Sequence, residues 1–144
     1  MLLTGTFRRS VDGKQRIAVP KRLRSAMEGQ ELYLAPGTDG SLSLFPERAF
    51  TLLADRLADA SPAGQDVLAF SRLFFSQAER VEADSQGRFR VPPELFGMAG
   101  LKDEVVLIGV RDHIEIWDVE RWDQYLANKR ENYDQIAEKA FQAG

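Results

Sequence analysis

The chain has 144 residues, of which 44% are hydrophobic and 28% charged, the composition of a soluble globular protein with one ordinary domain or two small ones. It has no cysteine and a single histidine, which excludes disulfides, thiol catalysis and thiolate metal sites and disfavours histidine catalysis. No segment has the length and apolarity of a membrane span or a signal peptide, so we expect a cytoplasmic protein.

The net charge of -3 is distributed unevenly along the chain. The first 24 residues carry seven basic side chains and one acidic side chain, whereas the other 120 carry 12 basic and 21 acidic ones. A basic segment on an acidic protein is the charge pattern expected of a nucleic-acid contact. A solvated basic surface without a partner is the alternative interpretation.

In the first half, alternation and turn residues predict four strands and two helices. A strand over 3–11 leads into a turn at Asp12-Gly13, and a second strand follows over 16–19. Proline ends that strand and begins a short helix in "PKRLRSAM". The strands "ELYLAP" and "SLSLFP" come next, and a longer helix is predicted from the amphipathic spacing of Phe50, Leu53, Ala54 and Leu57.

The second half follows the same order after a break at Ser61-Pro62-Ala63-Gly64 and a linking helix in "DVLAFSRLFFSQ". It has a turn over 84–87, a strand over 88–91, the short helix "PPELFGMA" and the strands "EVVLIGV" and "HIEIWD". Apolar residues at helical spacing, interrupted at Lys129, predict a long C-terminal helix. We therefore predict a basic first unit (1–60), a helical linker (61–76) and a second unit with the C-terminal helix (77–144).

An internal repeat at an offset of 72 residues accounts for this common order. "VDGKQRIAVP" at 11–20 corresponds to "ADSQGRFRVP" at 83–92, and "LSLFP" corresponds to "IEIWD". Matches at one register over about half the chain indicate a duplication. Because each unit is too small to bury a full core, we expect an α+β protomer in which two units pack as a pseudo-symmetric pair, with further self-association.

The repeated aspartate and arginine are the main candidate functional residues. We interpret Asp12 and Asp84 as holding their turns, by accepting turn N–H groups or by pairing with the arginine. A catalytic carboxylate dyad is the alternative, which the polar and basic surroundings disfavour. Arg16 and Arg88 lie on the strand faces opposite the core, where a β-ribbon presents them to phosphates or to guanine edges in a major groove.

The two copies differ in the charge around these arginines. Arg8, Arg9 and Lys14 are close in sequence to Arg16, so we predict that the first copy carries the DNA contact, with Arg16 as its principal residue. The second copy keeps Arg88 and a neighbouring arginine on an acidic background. We therefore expect its role to be structural, or secondary in binding.

The two motifs, of the form D-x-K-G-R-x-x-x-P, are each followed by a strand pair ending in "LFP" or "IWD" and by a helix. In this the chain resembles the MraZ family, bacterial relatives of the AbrB/SpoVT group of DNA-binding proteins. The resemblance covers essentially the whole chain. It implies two tandem swapped-hairpin units in one protomer and a ring of about eight subunits.

In function, the resemblance implies a sequence-specific regulator of the nucleoid, usually a repressor. Such a regulator binds short direct repeats in promoter DNA, upstream of the division and cell-wall gene cluster. The resemblance implies no cofactor, no metal, no membrane association, no small-molecule substrate and no catalytic residue. Two other functions stay open: an interaction module whose basic face docks an acidic protein, and an antitoxin-like relative that neutralises a toxin.

The chain departs from the family motif at two positions. In the first copy Asp12, Lys14, Arg16 and Pro20 match, while Gln15 stands where glycine is usual. A side chain is unfavourable where φ is positive, so we expect the neighbouring Gly13 to take that conformation. In the second copy Gln86 replaces the lysine, and the residues that match are Asp84, Gly87, Arg88 and Pro92.

Overall fold

The computed structural model describes residues 2–60 and 64–143. The predicted break at Ser61-Pro62-Ala63 lies outside the described residues, as do Met1 and Gly144. The described part of the chain is a mixed α+β protomer with two tandem, pseudo-symmetric units, which confirms the predicted fold class. The division into 1–60, 61–76 and 77–144 stays a prediction.

The strands and helices follow the predicted order. The strands are β1 (Thr6–Ser10), β2 (Arg16–Ala18), β3 (Leu32–Pro36), β4 (Leu42–Pro46), β5 (Glu79–Val81), β6 (Arg88–Arg90), β7 (Glu104–Val110) and β8 (His113–Asp118). The helices are α1 (Lys21–Ala26), α2 (Glu47–Asp59), α3 (Gln65–Gln77), α4 (Pro93–Met98), α5 (Val119–Arg130) and α6 (Tyr133–Ala143). The C-terminal stripe is thus two helices, which separate just after Lys129.

The two halves exchange strands. β1 of the first half pairs antiparallel with β7 of the second, and β5 of the second half pairs with β3 of the first. β4 and β8 join at the centre, so the six-stranded sheet has the order β1-β7-β8-β4-β3-β5. β2 and β6 form a separate two-stranded ribbon. Each half therefore completes the sheet of the other, which is the swapped-hairpin arrangement that the resemblance implies.

The main hydrophobic core lies under the ribbon and includes the central strands of the sheet. Ile17 of β2 and Phe89 of β6 are 0% and 1% exposed and belong to the same buried cluster as Leu44 and Ile116. The short helices α1 and α4 add further leucines to this cluster. Because Ile17 and Phe89 fix the inner face of the ribbon, the residues beside them on each strand face outward.

Candidate nucleic-acid interface

The outer face of the ribbon carries three arginines. β2 and β6 are antiparallel, with Arg16 opposite Arg90, Ile17 opposite Phe89, and Ala18 opposite Arg88. Since Ile17 and Phe89 point into the core, Arg16, Arg88 and Arg90 lie on the opposite face. A two-stranded ribbon with basic residues on its outer face has a shape that enters a DNA major groove.

Turn 1 (residues 12–15) is held by Asp12. Its Oδ1 accepts the backbone N–H groups of Lys14 at 2.9 Å and Arg16 at 2.8 Å, and its Oδ2 accepts Nε of Arg16 at 2.7 Å. Within the described residues, neither terminal Nη nitrogen of Arg16 donates a hydrogen bond. Asp12 therefore aims the guanidinium and leaves its two outer nitrogens available to a ligand.

Turn 2 (residues 84–87) repeats this geometry almost without change. Oδ1 of Asp84 accepts the backbone N–H groups of Gln86 and Arg88, each at 2.9 Å, and Oδ2 accepts Nε of Arg88 at 2.9 Å. The two ion pairs are about equally accessible, with the Arg16 side chain 30% and the Arg88 side chain 36% exposed. The two turns therefore hold Arg16 and Arg88 in the same geometry.

The hydrogen bonds also set the charge of the two aspartates. Donation by the backbone N–H of Arg16 holds the pKa of Asp12 below its ordinary value, and donation by the N–H of Arg88 does the same to the pKa of Asp84. Both side chains are thus ionised throughout the neutral range. A permanently charged anchor suits the positioning of a cation and is unsuited to proton transfer near neutral pH.

The depressed pKa values predict a contribution to acid unfolding. A carboxyl whose folded pKa lies below its unfolded pKa stabilises the fold above the unfolded value, and this stabilisation is lost as the pH falls through the folded value. We expect the Asp12→Asn/Asp84→Asn variant to lose less stability than the parent between about pH 5 and pH 2. Urea unfolding at a series of pH values measures this, and identical slopes in this acid range would contradict the role assigned to the two carboxylates.

The left-handed residue of turn 1 is Gln15, which corrects the expectation that Gly13 takes this conformation. Gln15 has φ of +60°, and the matching residue of turn 2, Gly87, has φ of +78°. Gly13 is absent from the described residues with positive φ. The N–H of Gln15 donates to the carbonyl oxygen of Asp12, and its own carbonyl oxygen accepts the N–H of Val91. These two bonds fix the conformation at this position whatever its side chain.

The strain at Gln15 predicts a stabilising substitution. A residue with a Cβ in the left-handed conformation costs about 1–2 kcal/mol of stability. Glycine avoids this cost, but it increases the conformational entropy of the unfolded chain, which lowers stability by roughly 0.4–1 kcal/mol. We therefore expect Gln15→Gly to raise the free energy of unfolding by up to about 1 kcal/mol, as measured by urea denaturation. Gly13→Ala is the matched control, since nothing lies within 4 Å of a Cβ there and no loss is expected. A loss of stability in Gln15→Gly would show that the glutamine side chain offsets the strain.

Arg90 is a candidate contact that the sequence analysis did not select. It lies directly opposite Arg16, and like charges at opposed positions on a sheet repel each other. Arg90 forms no salt bridge within the described residues. Lys14, Arg16 and Arg90 line one cleft at turn 1, together with Pro93. The antiparallel pairing of the two motif strands is the signal that would have identified Arg90.

Arg8 and Arg9 are not part of this cleft. Both lie on β1, in the six-stranded sheet. Arg8 donates to Asp123 of α5 at 3.0 Å, and Arg9 donates to the backbone oxygen of Arg8 at 2.7 Å. Of the residues predicted to contact DNA, the structure brings together Lys14 and Arg16, while Arg88 lies on the same face nearer turn 2.

Other chemistry is sparse in the described part of the chain. Residues 2–60 and 64–143 hold no cluster of three His, Asp or Glu side chains arranged to bind a metal ion. None of their helices has both the length and the apolarity needed to cross a bilayer. His113 is partly buried, with Nδ1 2.9 Å from Oδ1 of Asp112 and its ring stacked on Phe45. This histidine has the contacts of a packed structural residue.

Comparison with known proteins relates both halves of the chain to one family. A family model described as "MraZ protein, putative antitoxin-like" matches residues 2–73 and again residues 74–144. The transcriptional regulator MraZ of Finegoldia magna is 40% identical over 129 residues, 90% of each chain. The one of Thermomicrobium roseum is 40% identical over 121 residues, 84% of each, and that of Alkaliphilus metalliredigens is 36% identical over 143 residues, 99% of each. The chain therefore belongs to the MraZ family.

Proposed function

We propose that this protein is a DNA-binding transcriptional regulator whose ribbon contacts promoter DNA. The observation that carries the proposal is the pair of aspartate-held arginines on the outer face of the ribbon, with Arg90 opposite Arg16. Relatives that match nearly the full length of the chain are named transcriptional regulators. Transcriptional regulation is not an enzyme class, and the proposed contact requires neither a cofactor nor a small-molecule substrate.

The finer assignment is a sequence-specific repressor. Arg16 is its principal contact, supported by Lys14, Arg8 and Arg9, and Arg88 is a secondary contact. Its operator consists of short direct repeats upstream of the division and cell-wall gene cluster, so the protein works in the cytoplasm at the nucleoid. The resemblance supports the operator and the sign of regulation, and the ribbon geometry supports the roles of Arg16 and Arg88.

The proposal includes assembly into a ring of about eight subunits. Its structural support is apolar surface left open on two helices of the protomer. Large hydrophobic side chains are exposed on α3 and α6, namely Leu68, Phe70, Leu73, Phe75, Tyr133, Ile136 and Phe141. Monomeric proteins rarely keep such patches open to water. A ring would bury them and present several ribbons to consecutive direct repeats.

Footprinting of the purified protein on the DNA upstream of its own gene tests this function. We expect periodic protection at short direct repeats and a steep decrease in affinity with salt. A scrambled duplex of the same composition serves as the control. Equal binding to both duplexes, or no binding to either, would overturn the proposal. The chain would then fit a module that docks an acidic protein, or an antitoxin that uses the apolar face of α6.

A further inference from the structure

Strand β8 places a histidine and a carboxylate on the face of the sheet that points away from the ribbon. Ile114 and Ile116 belong to the main core under the ribbon, so His113, Glu115 and Trp117 lie on the opposite face. The side chains of His113 and Glu115 are only 19% and 21% exposed. Their interaction is therefore screened less by water than that of a pair on the open surface.

His113 lies between two carboxylates. Its Nδ1 is 2.9 Å from Oδ1 of Asp112, and its Nε2 is 3.6 Å from Oε2 of Glu115. Each carboxylate has a second partner on its other oxygen: Nε1 of Trp117 donates to Glu115 at 3.0 Å, and Arg111 pairs with Asp112 at 3.6 Å. Both ring nitrogens carry a proton only in the imidazolium form. Uptake of a proton therefore gives His113 two ion pairs at once.

The imidazole is linked to helix α3 through aromatic contacts. Its ring stacks on Phe45 of β4 with 5.1 Å between the ring centroids. Phe45 in turn meets Phe74 of α3 edge-on at 6.2 Å and contacts Phe50 of α2 at 5.6 Å. Phe74 is 4% exposed and is the buried residue through which α3 packs on the sheet. A cation over an aromatic face is favoured, so the charge of His113 acts on the ring that supports α3.

The two carboxylates are the charged partners of this histidine within the described part of the chain. Val110 lies opposite it on β7, and the residues reached through its stacked ring on β4, α2 and α3 are uncharged phenylalanines. Burial lowers the pKa of His113, but attraction by Glu115 and Asp112 outweighs burial and holds this pKa above its ordinary value. His113 in turn holds the pKa of Glu115 below its ordinary value.

We propose that Asp112, His113 and Glu115 form a pH-sensitive ion-pair cluster, which stabilises the packing of α3 on the sheet and weakens it when the imidazole loses its proton. A group that binds its proton more tightly in the folded chain stabilises the fold below the unfolded pKa, and this is lost as the pH rises through the folded pKa. Since α3 carries exposed apolar side chains, the cluster makes the position of that apolar surface depend on pH. The inference goes beyond the proposed DNA contact and does not require it.

NMR titration of the full-length protein tests the cluster directly. His113 is the single histidine of the chain, so its ring signals are assigned without ambiguity. We expect a pKa above the ordinary value of about 6.5. Glu115→Gln and Asp112→Asn each remove one negative charge at nearly constant shape and should lower this pKa, while Glu120→Gln makes the same change in an exposed ion pair of α5 and should not. A parent pKa at or below about 6.5, or one that neither Glu115→Gln nor Asp112→Asn lowers, would overturn the proposal.

Hydrogen exchange separates an effect on α3 from a general effect on stability. Between about pH 6 and about pH 8.5, and after correction for intrinsic rates, the protection of the α3 amides should decrease by up to about tenfold for each pKa unit by which folding raises the pKa of His113. The amides of the ribbon, on the other side of the sheet, are the internal reference and should change less. In His113→Gln the decrease in α3 should disappear. An equal decrease in the parent and His113→Gln, or an equal decrease in α3 and the ribbon of the parent, would show that the cluster does not control the packing of α3.

Discussion

Arg16→Ala is expected to abolish specific binding to the operator while leaving the assembled protein intact. Arg16 lies on the outer face of the ribbon, and its Nη nitrogens are not engaged within the described residues. A bidentate arginine contact contributes about 1–3 kcal/mol of discrimination, roughly 5- to 150-fold in affinity. In the proposed assembly on consecutive repeats, each bound protomer would lose this contact, so the losses would multiply and remove specific binding at working concentrations.

The fold should tolerate this substitution. Asp12 keeps the two backbone N–H groups that it accepts in turn 1, and the inner face of the ribbon is unchanged. Fluorescence anisotropy with operator and scrambled duplexes measures binding, and light scattering measures the mass of the assembly. Arg56→Ala, on the exposed surface of α2, is the matched control. Normal operator affinity in Arg16→Ala would show that the principal contact lies elsewhere.

The repeat and the hydrophobic alternation made much of the fold predictable. The offset of 72 residues predicted two similar units, and the alternation around Ile17 and Phe89 predicted which strand face carries the arginines. The exchange of strands was predicted from the family resemblance and not from the repeat or the hydrophobic alternation. Local alternation selects a strand and its buried face, but it holds no information about which half of the chain donates the partner strand.

Strand exchange also separates basic residues that are neighbours in the sequence. Arg8 is close to Arg16 along the chain, yet it is bound by Asp123 of α5, 115 positions away. Arg90 belongs to the second copy but shares the cleft of turn 1 with Lys14. The basic segment at the start of the chain is thus divided between β1, turn 1 and helix α1. Charge proximity in this fold follows the pseudo-symmetry and not the sequence.

Gln15 shows a second limit of local reasoning. Backbone preference assigns the left-handed position to Gly13, whereas the hydrogen bonds of Asp12 and Val91 impose it on Gln15. The free-energy cost of that conformation is small compared with the stabilisation from the hydrogen bonds that hold both ends of the turn. The geometry of turn 1 is therefore set by the pairing of β2 with β6. One copy of the motif alone does not contain the partner strand that makes these hydrogen bonds.

Phe89→Ala is expected to lower the free energy of unfolding by about 3–5 kcal/mol. Phe89 is 1% exposed and lies opposite the fully buried Ile17, where the two strands of the ribbon meet. Removing the ring leaves a cavity between the ribbon and the sheet, because the opposed strand cannot move inward without breaking its pairing. A loss of this size is a large part of the stability of an ordinary domain. Urea unfolding of the parent and the variant measures it.

This substitution should weaken DNA binding by a route that differs from that of Arg16→Ala. The guanidinium groups remain, but the ribbon that spaces them loses its support, so binding and unfolding free energy decrease together. Ile17→Val should cost only about 0.5–1.5 kcal/mol, since one methylene group is removed from the same site. Leu52→Ala, at a side chain of α2 that is 58% exposed, truncates a hydrophobic side chain outside the core and outside the apolar surface of α3 and α6, and should leave the protomer stable. If Phe89→Ala were no more costly than Leu52→Ala, the inner face of the ribbon would not be what holds the arginines in place.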